Sequence, residues 1–307
     1  MGFRKFFAVI AAVLLIASAV AAPHAPEKID WSKADDIRPG IKLTSGIKKS
    51  PRLIRYYIMR IDLGTPGLEF VTTGRDADWG KPMPDYPKRM IRTRRRTVAE
   101  FMNIARRPVK HGGLGKNLVA AFNATPWGPW VPPFNHKYAD PPGLVISNGE
   151  VVAEHKQKAQ FVIYRDGSVD IVPSIPAEKR PEVLHTLSGF VINARGGKVV
   201  PPAKGDRAGV GTAPRTVYGL SAHRRYMYVL AVDGRQPGWS MGVNNQESAQ
   251  IIISAGASDA INMDGGGSTT MLYWDAAQCK PVMVNRHTAV GNYMRAVATS
   301  LGIVLNK

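Results

Sequence analysis

The sequence predicts an α+β fold, a single domain built on a mixed, mostly antiparallel sheet with a few helices. Three observations support this. Short apolar segments with two-residue periodicity recur and are joined by Asn-Gly and Asp-Gly pairs, which reverse antiparallel strands. Two stretches carry a helix-capping signature followed by an apolar stripe at helical spacing. The 307 residues are 44% hydrophobic and 21% charged, enough for a proper core, and show no solenoid-type repeat.

In chain order, Arg4 and Lys5 precede an apolar run from Phe6 to Ile16 and then the small residues SAVAA. That is the order of a secretory signal over residues 1–22, so a periplasmic or secreted protein is expected, starting near Ala22 or Pro23. Residues 23–50 are polar and broken by Pro39 and Gly40, and read as a leader into the domain at 51–307. Leu53–Leu63 and Gly67–Thr73 alternate apolar and polar residues around a Pro-Gly turn and predict a hairpin. Three prolines make 75–95 an irregular loop.

Thr97 with Glu100 is a capping box, so a helix runs from about Val98 to Arg106. Leu118–Phe122 has the composition of a buried strand, followed by a Pro- and Trp-rich loop of the kind that lines sites. Asn148-Gly149 and Asp166-Gly167 turn two further hairpins, the second joining Gln160–Tyr164 to Val169–Val172. Asn244 and Glu247 open a second helix, Asn245 to Ala255, stopped by Gly256, and a strand from Ala260 to Met263 follows.

The charge balance is +18, from 41 Lys+Arg against 23 Asp+Glu. Much of the excess lies in residues 88–116, which hold a single acid, Glu100. This segment is a candidate contact for an anionic envelope polymer, with a merely solvating basic face as the alternative. Export argues against nucleic acid as a partner. The lone cysteine, Cys279, excludes an intramolecular disulfide.

The stretch INMDGGGSTTMLYW, 261–274, concentrates the chemistry. Asp264 is expected at a strand tip, and Gly265, Gly266 and Gly267 leave backbone N–H groups free to converge on an anion or a sugar oxygen. Ser268, Thr269 and Thr270 then add hydroxyls on alternating faces of a strand running to Trp274. An Asp-Gly hairpin turn is the structural alternative, although one glycine suffices for that. The pattern has neither GxGxxG spacing nor a phosphate-loop lysine, and it leads into a strand rather than a helix. The histidines are scattered, with no HExxH or Cys/His pairing, so no metal site is compelling; a divalent cation that helps hold a phosphate is left open.

Six segments in order carry a family resemblance: 211–216 (GTAPRT), 229–235 (VLAVDGR), Ser240-Met241-Gly242, Glu247-Ser248-Ala249, 256–262 and 264–270. Together they resemble the phosphodiester glycosidase family. Upstream, 121–125 resembles the family's strand ending in Asn-Gly-Gly, with the glycines replaced, and 143–151 resembles its next hairpin. The resemblance implies hydrolysis of a glycan or other glycosyl-phosphodiester substrate at the anomeric carbon, releasing the sugar and leaving a phosphomonoester. It implies Arg215 as a phosphate grip and Asp264 as the carboxylate beside the anomeric carbon or the base for water, with Asp233 as a second catalytic candidate. Asn123, Arg235, Gly265, Gly266, Gly267, Ser268 and Thr269 would bind substrate. Each has a structural alternative: Arg215 paired with Asp233, Asp264 capping its own turn, Asn123 bracing the backbone. A non-catalytic binder of anionic glycans is the competing class.

Overall fold

The computed structural model describes residues 28–132, 134–155, 159–202, 209–288 and 293–306. The signal expected at 1–22 lies outside them. Every strand pairing in the three principal sheets is antiparallel. Sheet I has eight strands, in spatial order Asp35–Arg38, Ile41–Lys48, Ile54–Asp62, Tyr226–Val232, Arg215–Leu220, Asp259–Asn262, Val191–Arg195 and Lys198–Val199. Sheet II holds Glu150–Ala153, Val145–Ser147, Val183–Ser188, Gln160–Tyr164 and Val169–Val172. Sheet III holds Lys280–Met283, Met271–Asp275, Leu118–Asn123, Ser300–Leu305 and Leu68–Thr72.

Two-residue alternation sets the layers. Along Tyr226–Val232, Met227, Val229 and Ala231 enter the core shared by the three sheets, while Tyr228, Leu230 and Val232 face the opposite way. Helix α2, Asn245–Ser254, covers that outer face with Ala249, Ile251 and Ile252. Its approach is close: a Cβ on Gly219 would stand 2.9 Å from Ile252 and from Ala257. Helix α1, Val98–Arg106, packs Val98, Phe101, Met102 and Ala105 on the outer face of sheet III against Leu118 and Ala121. Both helices carry the complete capping box expected of them.

Three segments differ from expectation. Ile54–Asp62 and Leu68–Thr72 do not pair with each other; they lie in sheets I and III, because their partners are strands far along the chain. Residues 35–48, within the stretch read as a leader, form the first two strands of sheet I, where Ile41 is wholly buried. Polar residues dominate there because this sheet edge is half open to solvent. The loop at 75–95 contains a small hairpin, Pro82–Met83 with Tyr86–Met90.

Tyr218 ties the sheets together. Its ring, fully buried in sheet I, makes edge contacts with Phe161 of sheet II at 5.2 Å and Phe122 of sheet III at 6.3 Å. Its hydroxyl donates to Asn123 O of sheet III at 2.8 Å. Tyr218→Phe keeps the ring and removes that bond, so it is expected to cost about 1–2 kcal/mol. Urea denaturation should show a lower midpoint with an unchanged slope.

Candidate active site

The DGGGS stretch is a crossing between two sheets, not a hairpin. It leaves sheet I at Asn262 and enters sheet III at Met271. In between, Met263 N donates to Thr216 O at 2.9 Å, Asp264 N to Ala124 O at 2.9 Å and Gly266 N to Pro214 O at 2.9 Å. Gly266–Ser268 forms a single 3-10 turn, so the strand begins at Met271 and not at Ser268. The hydroxyls of 268–270 therefore belong to the turn and do not alternate along a strand.

The glycines are required by close approach. A Cβ on Gly265 would lie 2.7 Å from Pro214 O, and one on Gly267 would lie 2.6 Å from Arg295 Cζ. Gly266 has φ +62°, in the left-handed region, with Arg235 Nη1 3.1 Å from where its Cβ would be.

Asn123 braces the crossing. Its Nδ2 donates to Asp264 O at 2.8 Å, and its Oδ1 accepts from Thr216 Oγ1 at 2.8 Å and Thr270 N at 2.9 Å. With no exposure and both lone pairs of Oδ1 taken, it holds the frame where sequence reasoning expected a substrate contact.

Asp264 is 7% exposed. Its Oδ1 accepts from Gly265 N at 3.0 Å, which caps the turn, while its Oδ2 is buried with no hydrogen-bond partner. Ser268 Oγ and Trp127 Nε1 stand close enough to this carboxylate to stabilise its charged form but make no bond of normal length, and Thr269 Oγ1 and Thr125 Oγ1 are buried without a partner. Native proteins satisfy almost all such groups, so a cluster of them in one place marks where a ligand supplies the bonds. Burial pushes the Asp264 carboxyl up to about 6; Ser268, Gly265, Arg295 and Trp127 act the other way.

Of the nearby cations, Arg295 acts on this carboxylate through its charge, while Arg235 acts on Arg295 and on Arg215. Arg235 lies against Gly266 and Arg295 against Gly267. Arg215, 8% exposed, donates to Val243 O at 3.1 Å and Gly211 O at 2.9 Å. Burial first, then the charge of Arg235, pulls its pKa below the usual guanidinium range. Arg295 is lowered by burial and by Arg235, and supported by Asp264. Among the described residues none of these three guanidinium groups is within ion-pair distance of a carboxylate. Also among the described residues, no three His, Cys, Asp or Glu side chains gather as a metal site. The guanidinium groups at the crossing suit an anion.

Asp233 is not part of this cluster's open chemistry. It is fully buried, with Oδ2 accepting from Trp239 Nε1 at 2.7 Å and Oδ1 from Arg286 N at 2.9 Å. Burial raises its pKa while those donors oppose the rise. It fastens two loops, which also explains why it forms no pair with Arg215. Arg295 carried no local motif and was missed by sequence reasoning, because only the closing of sheet III brings it to Gly267. Arg94 and Arg95 of the basic segment were expected outside the core chemistry, yet they line a cleft that opens on Gly267 and Arg295.

The fold and site define an antiparallel-sheet domain with a buried carboxylate, Asp264, at a glycine crossing flanked by Arg235 and Arg295. Residues 117–304 match the model of the phosphodiester glycosidase family, and the chain belongs to that family. The match begins upstream of the segments that carry the clearest motifs. No curated protein matches the chain. Among solved structures it is similar to the zebrafish N-acetylglucosamine-1-phosphodiester alpha-N-acetylglucosaminidase catalytic domain, auto-inhibited by its pro-peptide. That similarity has TM-score 0.61 and 16% identity over 89% of this chain and 86% of that one. A hypothetical protein from Synechocystis gives TM-score 0.54 and 15% identity, over 87% of this chain and 62% of that one. A Burkholderia pseudomallei K96243 protein described as exported gives 0.54 and 14%, over 82% and 74%. Among the described residues no helix is long and apolar enough to cross a membrane.

Two predictions follow from the geometry. Asp264 has a folded pKa raised from 3.8 to about 6, so its ionisation opposes folding: stability is full below about 4 and is lost as pH rises through about 6. Asp264→Asn should therefore raise the melting temperature at pH 8, by a free energy on the order of 2–3 kcal/mol, with the gap closing near pH 4. Glycine substitutions should separate framework from ligand contact. Gly265→Ala meets backbone and should destabilise by about 1–3 kcal/mol, whereas Gly267→Ala meets the movable end of Arg295 and should weaken ligand binding with little change in melting temperature.

Proposed function

We propose that the protein hydrolyses a sugar-1-phosphodiester, releasing the sugar and leaving a phosphomonoester. Family membership supports the reaction class. The observation that carries the assignment is the buried Asp264 carboxylate beside Ser268, Trp127 and Arg295, at one end of a row of guanidinium groups that continues through Arg235 to Arg215.

A phosphate is a good leaving group, so protonating it matters less than in ordinary glycoside hydrolysis. In the proposed reaction a water oxygen bonds to the anomeric carbon as the C1–O bond breaks. The bond pair leaves with the phosphate, and the water proton passes to Asp264 Oδ2. The departing phosphomonoester gains negative charge as it forms, and fixed guanidinium groups stabilise that charge more than they stabilise the singly charged diester. Ser268, Thr269 and the Trp127 indole are placed to hold sugar hydroxyls. Asp233 and Asn123 keep the frame.

We further propose that 1–22 directs export and that the substrate is an envelope or extracellular glycan, a reading supported by the signal-like sequence and the relative described as exported.

The test is release of free sugar from N-acetylglucosamine 1-(methyl phosphate) and related esters. A base with a pKa of about 6 should make kcat/KM rise through that pH and level above it. Asp264→Asn should lower turnover by about 10²-fold or more while the protein stays folded. Full turnover in a folded Asp264→Asn protein would reject the role, and ligand binding without sugar release across such esters would place the protein among glycan binders.

A further inference from the structure

Beside the crossing lies a cleft of about 540 Å³ whose lining includes Arg94, Arg95, His136, Lys137, Tyr293 and Arg295, with Gly267 at its inner end. That volume is within the range of pockets that take whole ligands, roughly 300–1,000 Å³, and is more than one phosphate group fills. No Asp or Glu lines it.

Its charges are uncompensated. Arg95 is 7% exposed, and its guanidinium donates to the backbone oxygens of Phe134, His136 and Ala296, with no carboxylate partner among the described residues. Burial and the neighbouring Arg295 lower its pKa to about 10. His136, 7% exposed, has a buried Nε2 with no partner; Asp85 is within Coulombic reach of this ring but does not line the cleft. Arg94 and Lys137 are exposed at the rim. One diester carries one negative charge, which Arg215, Arg235 and Arg295 already exceed. Further buried cations call for further negative charge on the ligand. Tyr293, in the lining, is 68% exposed, and such a ring offers a flat apolar face to a sugar.

We propose that this cleft is the subsite for the aglycone, and that it selects a sugar phosphate, so that the substrate carries a second phosphate beyond the scissile one, as in a chain of phosphate-linked sugars. This rests on the hydrolase reading and narrows the role expected for residues 88–116 to Arg94 and Arg95. The exposed guanidinium of Arg94, the ammonium of Lys137, the unpartnered Nε2 of His136 and the charge of Arg95, whose N–H groups are mostly held by backbone oxygens, together suit a tetrahedral oxyanion.

The experiment compares three N-acetylglucosamine 1-phosphodiesters, whose aglycones are methyl, a sugar carrying a second phosphate, and the same sugar carrying a carboxylate. It uses the parent and the Arg94→Gln/Lys137→Gln double variant, both changes being at exposed positions. The parent should prefer the phosphorylated aglycone by tenfold or more in kcat/KM. The double variant should lose most of that preference through KM, with methyl-ester turnover within about twofold of the parent. Equal loss on all three substrates, or no preference in the parent, would overturn the subsite; equal preference for the carboxylate would overturn its selection of phosphate. Calorimetric titration with the phosphorylated sugar alone reads the cleft without turnover. Binding that the double variant loses, with no ester hydrolysed, would sink the hydrolase reading and keep the subsite, whereas hydrolysis with no such binding would do the reverse.

Discussion

The hydrogen bonds of one amide, Asn123, hold the ends of two sheets in register. Its Nδ2 and Oδ1 reach Asp264, Thr216 and Thr270, which lie before, beside and after the glycine crossing. A crossing chain at the mouth of a core has backbone groups that no ladder satisfies, and leaving them unpaired in the interior is costly. Asn123, the Pro214 and Ala124 carbonyls and Asn285, which accepts from Met271 N, satisfy them between them. With the rest of the backbone satisfied, Asp264 needs only its Oδ1 for the turn, and its Oδ2 and the hydroxyls of 268 and 269 are not needed to support the crossing.

The electrostatics follow from the same placement. A carboxylate held at a buried crossing is driven toward its neutral form, and Ser268, the Gly265 N–H and then the charge of Arg295 oppose this, which leaves the Asp264 pKa at about 6. Neither opposing influence is discharged by a direct ion pair. The fold thus tolerates unsatisfied charge of both signs in one place. Such an arrangement weakens the empty protein and favours the occupied one.

What was legible in the sequence was local. Both capping boxes, the Asn148-Gly149 and Asp166-Gly167 hairpins and the break at Gly256 are encoded within a few residues, and each stands where the pattern put it. Pairings between distant segments were not legible. Leu53–Leu63 and Gly67–Thr73 look like neighbours because alternation reports a buried face, not the identity of the partner strand. The strand expected from Ser268 starts only at Met271, because residues 263–270 satisfy their backbone on two different sheets. Asp264 and its glycines stood out as candidates because their composition is unusual. Arg295 did not, since an arginine between Met294 and Ala296 carries no signal until the strand after it is in place.

That strand, Ser300–Leu305, is the last described in the chain, yet it lies in the interior of sheet III, between Leu118–Asn123 and Leu68–Thr72. Its ladder includes Ser300 opposite Asn123. During synthesis, therefore, everything before residue 300 can emerge while sheet III still lacks the strand that joins Leu68–Thr72 to Leu118–Asn123 and the amide that frames the crossing lacks its neighbour. Closure awaits contacts spanning more than 170 residues, from Ser300 to Asn123, a topology that folds slowly. The frame around Asp264 and the cleft beside Gly267 are therefore among the last parts of the domain to form, because both wait for the strand that follows Arg295.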